Sequence, residues 1–275
     1  MSKFITEDDI EQAILKELKT DKFDYDIIVC DIDPEKREDL NDGTGRKSKK
    51  DCILPEVLKE SLYRINPDMM QPLIDEKIEE ITRDFSESDL VNVNYELYNK
   101  LRNSIPITVV KDGKEDFEFI KLIDFDKPEN NTFTAVSQMW IQGRYNWRRP
   151  DVLIFVNGLP LVFIELKNSI VKVEEAYNKN LQDYKKDIPN LFAFNQICVL
   201  SNGLETRLGS FNSSYEFFFE WLKVGSEKEK IDRKAIHEEG VSIKYFIEGL
   251  LDKKKLIDYI ENFIIFNNKN IKIIA

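Results

Sequence analysis

Residues 148–167 read RRPDVLIFVNGLPLVFIELK. Two runs rich in β-branched, aromatic and leucine residues flank Asn157-Gly158, the dipeptide that best specifies a tight hairpin because both residues accept positive φ. Three charges interrupt this apolar hairpin: Asp151, Glu165 and Lys167. Side chains alternate along a strand, so Glu165 and Lys167 share one face and Leu166 takes the other. Register decides whether Asp151 joins them. A two-residue loop pairs Val156 with Leu159, sets Asp151 against Ile164 and turns Glu165 to the opposite face. One additional residue, as a longer loop or a bulge, sets Asp151 opposite Glu165 with Cβ atoms about 5 Å apart. The spacing predicts that extra residue, because isolated charges in strands this apolar cost stability unless they are paired or coordinated.

Two carboxylates at that separation, with a lysine beside them, suit a hard cation such as Mg²⁺, which takes one or two carboxylates plus water and phosphate oxygens. The ion would polarise a scissile phosphate and acidify a bound water, and Lys167 would orient that water and offset developing charge. The bland alternative is a solvated strand face with an incidental trio of charges.

Outward from the hairpin, residues 6–19 predict a capped amphipathic helix. Thr6 and Asp9 form a capping box, and Ile10, Ile14, Leu15 and Leu18 make its apolar face. Glu7 and Glu11 fall inside that apolar arc, either as first-turn carboxylates favoured by the helix dipole or as groups aimed at a site. Residues 35–51 read as a polar surface loop. Its GTGRKS resembles a phosphate loop only superficially, since Arg46 stands where a second glycine must let backbone N–H groups approach phosphate. Residues 55–103 carry helical periodicity broken by Pro67 and Pro72, a helical insert. From 105 the period becomes strand-like (ITVV, FEFIKLIDF, TFTAVSQMWIQ, DVLIFV, LVFIELK). A helical stretch at 174–187 and the strand QICVLS follow. The pattern describes an α/β core with a sheet flanked by helices. Residues 214–275 return to helical patterning.

The chain has 275 residues, 51 Asp and Glu against 40 Lys and Arg, and a net charge of −11. Mean hydropathy of −0.42 and an ample aromatic complement exclude a disordered or fibrous chain. No apolar run reaches the roughly 18 residues of a membrane span. The stretch MSKFITEDDI lacks a basic region followed by an apolar one, so a cytoplasmic location is expected and no membrane partner. Cys30, Cys52 and Cys198 are odd in number and widely spaced, which suits neither a disulfide framework nor a zinc knuckle. The acidity argues against nucleic-acid binding by bulk charge alone.

Pro150-Asp151 followed by Glu165-Leu166-Lys167 resembles the PD-(D/E)xK nuclease motif. The surrounding ILPEVLKESLYRINPDM, LIDFDKPENNTFTAVSQMWIQG, AYNKNLQDYKKDIPNLFAFNQ and SNGLETRLGS resemble the N-terminal nuclease region of the restriction (R, or motor) subunit of type I restriction endonucleases. The resemblance covers most of residues 5–270. It implies a restriction-endonuclease-like αβββαβ core with a mixed sheet, a helical insert at about 55–103 and a C-terminal helical extension. Residues 1–213 would be the nuclease domain, and 214–275 would lead toward a helicase-like motor that this sequence lacks.

The resemblance further implies that Asp151 and Glu165 bind the metal, assisted by the Leu166 carbonyl, that Lys167 is the catalytic lysine, and that Glu11 completes the metal site. A Q-x-x-x-Y element is expected on the helix after the third strand. Tyr184 supplies its tyrosine and is counted with the catalytic set. Four residues earlier stands Asn180 rather than glutamine, with Gln182 only two before the tyrosine, so the amide that meets the strand or the DNA backbone is Asn180 or Gln182.

The implied partners are double-stranded DNA and the methylation and specificity subunits. ATP would be required by the full-length subunit and not bound here, which makes this sequence read as an excised fragment or a truncated subunit. Two other readings stay open: a stand-alone repair or junction-resolving nuclease, and a silent docking domain that relays DNA state to a motor.

Residues 141–186 hold eight Lys and Arg against five Asp and Glu, a local excess of three positive charges. Arg148, Arg149 and Lys185 are the candidate DNA-phosphate contacts, with Arg144, Lys179 and Lys186 nearby; a solvated face reads equally well. Tyr145 and Trp147 could stack on an unpaired base, though burial is the expected fate of each ring. His237 is the single histidine and supports no His-based catalysis. Phe217 to Phe219 read as core.

Overall fold

The structure is a computed structural model that describes residues 4–85, 89–111, 114–225, 228–231, 233, 236, 242–267 and 270–273; His237 lies outside them. Helix α1 (Glu7–Leu18) begins in the expected capping box between Thr6 and Asp9, and Glu11 is buried along with its apolar face. Strand β1 (Asp26–Val29) follows, then helices α2 (Pro55–Ile65), α3 (Gln71–Ile81) and α4 (Leu90–Asn103), which make up the helical insert. Proline sits in the first turn of both α2 and α3, where its missing N–H would be unpaired in any case.

Among the described residues, strands β2 (Ile105–Lys111) and β3 (Lys114–Ile120) pair with each other and not with the main sheet. Strand β4 (Phe133–Ser137) enters the main sheet. After the short β5 (Ile141–Gln142) and β6 (Trp147–Arg148) come β7 (Val152–Val156) and β8 (Leu159–Leu166). A helical segment runs through α5 (Val173–Glu175), a π-helical turn (Ala176–Leu181) and α6 (Gln182–Asp187), with α7 (Leu191–Phe194) behind it. Strands β9 (Ile197–Ser201), β10 (Thr206–Gly209) and β11 (Phe219–Glu220) complete the sheet, whose order is β1-β4-β7-β8-β9-β10-β11. Pairs β1·β4 and β8·β9 are parallel and the others antiparallel. Helix α1, strands β4, β7 and β8, the α5–α6 segment and β9 form the αβββαβ core of a restriction-endonuclease-like fold.

Every residue of β7 and β8 is buried, as expected of central strands covered on both faces. Each fully buried Leu, Ile, Val or Phe there contributes about 1.5–3 kcal/mol relative to exposure. The turn between them uses Asn157 at φ 50° and Gly158 at φ 78°. It is buried beneath the insert: Gly158 O accepts from Leu54 N at 2.9 Å, and a Cβ on Gly158 would stand 2.5 Å from the Leu54 carbonyl oxygen. The Asn157 amide donates to Leu122 O at 2.9 Å and to Asn131 Oδ1 at 2.8 Å, while its oxygen accepts from Thr132 N at 2.8 Å.

The structure departs from the sequence reading in several places. Of Phe217 to Phe219, read as core, only Phe218 is buried; Phe217 is exposed and Phe219, on the edge strand, is half-buried. The 35–51 segment is not wholly a surface loop: Thr44, Arg46 and Lys49 are buried. Arg46 and Lys49 both reach the Asp42 carboxylate, at 2.8 and 2.6 Å, and Arg46 also donates to Thr44 Oγ1 and the Asp51 carbonyl. Pairing, not composition, makes those charges burial-compatible. The segments ITVV and FEFI form a separate hairpin, since periodicity marks a strand without naming its partner. Beyond 214 the expected helices are present (Ser242–Leu250 and Lys253–Asn262), but β11 extends the main sheet and β12 (Ile264–Asn267) pairs with β13 (Asn270–Ile273). These helices share the core, tied by Tyr25 Oη to Leu251 O at 2.8 Å and Tyr98 Oη to Ile260 O at 2.9 Å. No helix of the described residues is long and apolar enough to cross a membrane.

Candidate active site

The hairpin solves the register problem with a bulge. Val156 pairs with Leu159 and Phe155 with Pro160, the frame of a two-residue loop, but Ile154 pairs with Val162 and Val152 with Ile164. Leu161 is the extra residue. Its carbonyl turns to accept from Gln196 N at 2.8 Å, so the unpaired position is satisfied by the chain entering β9. Continuing the shifted frame by one residue places Asp151 opposite Glu165, the arrangement the spacing predicts.

Asp151 is fixed from three sides. Its Oδ2 accepts from Leu166 N at 2.7 Å, its carbonyl accepts from Gln138 N at 3.0 Å, and its Oδ1 lies 3.4 Å from Gln138 Nε2. Glu165 is 2% exposed. Its Oε1 accepts from Lys167 Nζ at 3.0 Å and from the Asn180 amide, while Oε2 is buried with no hydrogen-bond partner. Lys167 Nζ also donates to Leu166 O at 2.7 Å. Glu11, 5% exposed on α1, accepts from the same Gln138 amide, which thus spans Glu11 and Asp151.

The electrostatics follow from two carboxylates, Asp151 and Glu165, beside the single Lys167 ammonium, with Glu11 next to Asp151. Burial, reinforced by Asp151, pushes the Glu165 carboxyl up to about 8. Burial also raises Asp151, against the opposing pull of the Leu166 N–H and Lys167, and it raises Glu11, with the Asp151 charge adding to it. Burial alone would depress Lys167, but the neighbouring Glu165 outweighs it and holds the ammonium above its ordinary value. The site is short of positive charge. Among the described residues no three His, Cys, Asp or Glu side chains are gathered into a ready ligand set. The donors facing a cation would be the Asp151–Glu165 pair, with the orphaned Glu165 Oε2 one of them. Two carboxylates plus water suffice for Mg²⁺, so the residues fit the ion.

The family described as Type I restriction enzyme R protein N terminus matches residues 4–217. The chain belongs to that family. It is 32% identical over 274 residues to the type I restriction enzyme HindI endonuclease subunit of Haemophilus influenzae, covering 97% of this chain and 24% of that protein. A Methanocaldococcus jannaschii protein named for a type I restriction enzyme endonuclease subunit is 29% identical over 277 residues, covering 95% of this chain and 26% of its own length. The chain therefore spans about a quarter of the length of these R-subunit relatives.

Within this R-protein region, the remaining candidates separate into two groups. Asn180 and Tyr184 reach the site: the Asn180 amide meets Glu165, and Tyr184, packed edge-on against Phe163, donates to Arg149 O at 3.0 Å. Burial, with Glu165 and Asp151 adding to it, raises the Tyr184 phenol well above its ordinary value. The wide turn at 176–181 sets this frame, and in it Gln182 turns back to donate to Tyr177 O at 3.3 Å, away from the carboxylates.

The basic candidates are mostly engaged internally. Arg148 ion-pairs with Asp187 at 2.5 Å and Asp183 at 3.2 Å, and Lys185 donates to Phe211 O at 2.9 Å, its pKa lowered by burial. Arg149 donates to Ile32 O at 3.1 Å and stacks over Trp140. Lys179 and Lys186 are exposed. The burial expected of Tyr145 does not occur, whereas Trp147 is half-buried under Arg37.

Sequence reasoning passed over Gln138. Its signal was the polar Ser137-Gln138 step closing an apolar strand, and its φ of 57° marks a strained, fixed position.

Proposed function

We propose that this chain is the metal-dependent endonuclease region of a type I restriction R subunit, hydrolysing DNA phosphodiester bonds in defence against foreign DNA. The observation that carries this reading is the Leu161 bulge, which sets Asp151 opposite Glu165 beside Lys167. In this reading Asp151 and Glu165 hold a Mg²⁺ ion, and Glu11 lies within reach through Gln138. When bound, the ion supplies Lewis-acid polarisation of the scissile phosphate and acidifies a water.

The chain's own residues do the rest. The Leu166 N–H holds the Asp151 carboxylate in one rotamer. Lys167 stays protonated beside Glu165, orients the attacking water and offsets charge growing on the phosphate. Asn180 holds the Glu165 oxygen that Lys167 also contacts, and Tyr184 braces the backbone at Arg149, two residues before Asp151. In the whole enzyme, a cytoplasmic complex with methylation and specificity subunits, ATP-driven translocation would bring double-stranded DNA to this site. The −11 charge makes that division of labour reasonable, since an acidic domain holds DNA weakly by itself.

The test is Asp151→Ala and Lys167→Ala in the full-length subunit assembled with its partners, with DNA cleavage and ATP hydrolysis measured separately. Cleavage should fall by at least about a thousand-fold while ATP hydrolysis continues. Cleavage retained in either variant would remove the assignment.

A further inference from the structure

Between Gln138 and Asp151 the chain leaves the main sheet, forms the β5–β6 hairpin and returns. Its residues 140–149, WIQGRYNWRR, hold three aromatics, three arginines and no acid in a chain of net charge −11. The turn of this hairpin and its second strand are clamped to the end of α6. Asp187 accepts from Asn146 Nδ2 at 3.1 Å and from Arg148 Nε at 2.7 Å. Gly143 approaches so closely that a Cβ would stand 2.1 Å from the Asp187 carbonyl oxygen. Gly143 N donates to Asn146 O at 2.9 Å and closes the turn.

The tip is held out rather than packed. Tyr145 is 82% exposed, and the Arg144 guanidinium lies 5.4 Å from its ring centre. Two more guanidinium–aromatic pairs adjoin it at the root: Arg37 over Trp147 at 5.2 Å and Arg149 over Trp140 at 5.0 Å. Core packing accounts for the half-buried tryptophans but not for Tyr145. A water-exposed ring with a guanidinium at its face, mounted on a turn tied to α6, is a stacking platform for a flat ligand that carries phosphates.

We propose that the β5–β6 hairpin contacts the DNA strand at the site, with Tyr145 stacking on an unpaired base and Arg144 and Arg149 facing the phosphates of that strand. This rests on the nuclease reading above. A single ring can stack only on a base whose face is open, so the surface favours locally unpaired DNA over intact duplex.

The experiment is fluorescence anisotropy of the 275-residue chain at low salt with a labelled single-stranded oligonucleotide and with the same sequence as duplex. The single strand should bind more tightly. Tyr145→Ala should weaken single-strand binding roughly ten-fold and Tyr145→Phe should retain it, because the ring and not the hydroxyl stacks. Arg144→Ala should lower the salt dependence by about one released counterion. Unchanged affinity in Tyr145→Ala, equal loss in Tyr145→Phe, tighter binding of duplex or no binding by the unsubstituted chain would each overturn the proposal. Mn²⁺ titration of the unsubstituted chain separates the two readings. Failure to bind Mn²⁺ counts against the carboxylate site and not the hairpin, whereas unaltered DNA binding by Tyr145→Ala counts against the hairpin and not the carboxylates.

Discussion

Two of the buried charge clusters among the described residues are built on opposite terms. In the 42–51 segment, Asp42 receives Arg46, Lys49 and Thr44, and these hydrogen bonds outweigh burial and bring its pKa down to about 2. At the hairpin site, Asp151 and Glu165 share the Lys167 ammonium, Glu11 has the Gln138 amide in its place, all three carboxyl groups are raised, and an oxygen of Glu165 has no partner. The first cluster is complete and stabilises the fold. The second is electrostatically unfinished, the expected state of a site that costs stability until a cation joins it.

The comparison breaks most sharply at Asp42. Asp42→Ala strands two buried cations and should cost about 3–5 kcal/mol in denaturant unfolding. A smaller effect of opposite sign is expected at the other cluster. Glu165→Gln, unfolded in chelator at pH 8, should be more stable than the unsubstituted chain by about 1–3 kcal/mol, the loss of Lys167's partner offsetting part of the gain.

The pH dependence carries the same contrast. A carboxyl raised from 4.5 to about 8 contributes stability that is full below 4.5 and is lost as pH rises toward 8. Asp42, lowered from 3.8 to about 2, contributes stability present above 3.8 and lost as pH falls through 2. Cation-free unfolding curves should therefore weaken from pH 5 to 8, and Glu165→Gln should flatten that slope. Mn²⁺ should restore the loss, binding more tightly as pH rises.

The smallest effect is expected at Gln138. Gln138→Gly keeps the positive φ without a Cβ, so stability should hold or rise by up to about 1 kcal/mol. Removal of the amide spanning Glu11 and Asp151 should at the same time weaken Mn²⁺ about ten-fold by calorimetry.

Much of this was legible in the sequence because the decisive signals are local. Asn157-Gly158 specifies its turn, Thr6 and Asp9 cap their helix, and three charges in apolar strands announce a site. What escaped depends on partners distant in sequence. Strand β1 is four residues long and only half-covered, too short for alternation to show. The burial of Arg46 rests on Asp42 and the shape of the loop, and residue types alone made it a surface segment. The π-helical turn decides that Asn180 and not Gln182 meets Glu165, and no residue pattern marks such a widening. Gln138 was hidden because its role lies in a backbone angle and in reaching a helix that starts 131 residues earlier, at Glu7.

The bulge at Leu161 has a consequence for how this hairpin can change in length. It acts as a parity bit: one residue added or removed between Val156 and Val162 turns Glu165 to the other face of the sheet, while two leave it in place. Lineages that keep an active site can therefore vary this turn only by even steps, or by an odd step paired with the loss or gain of a second bulge.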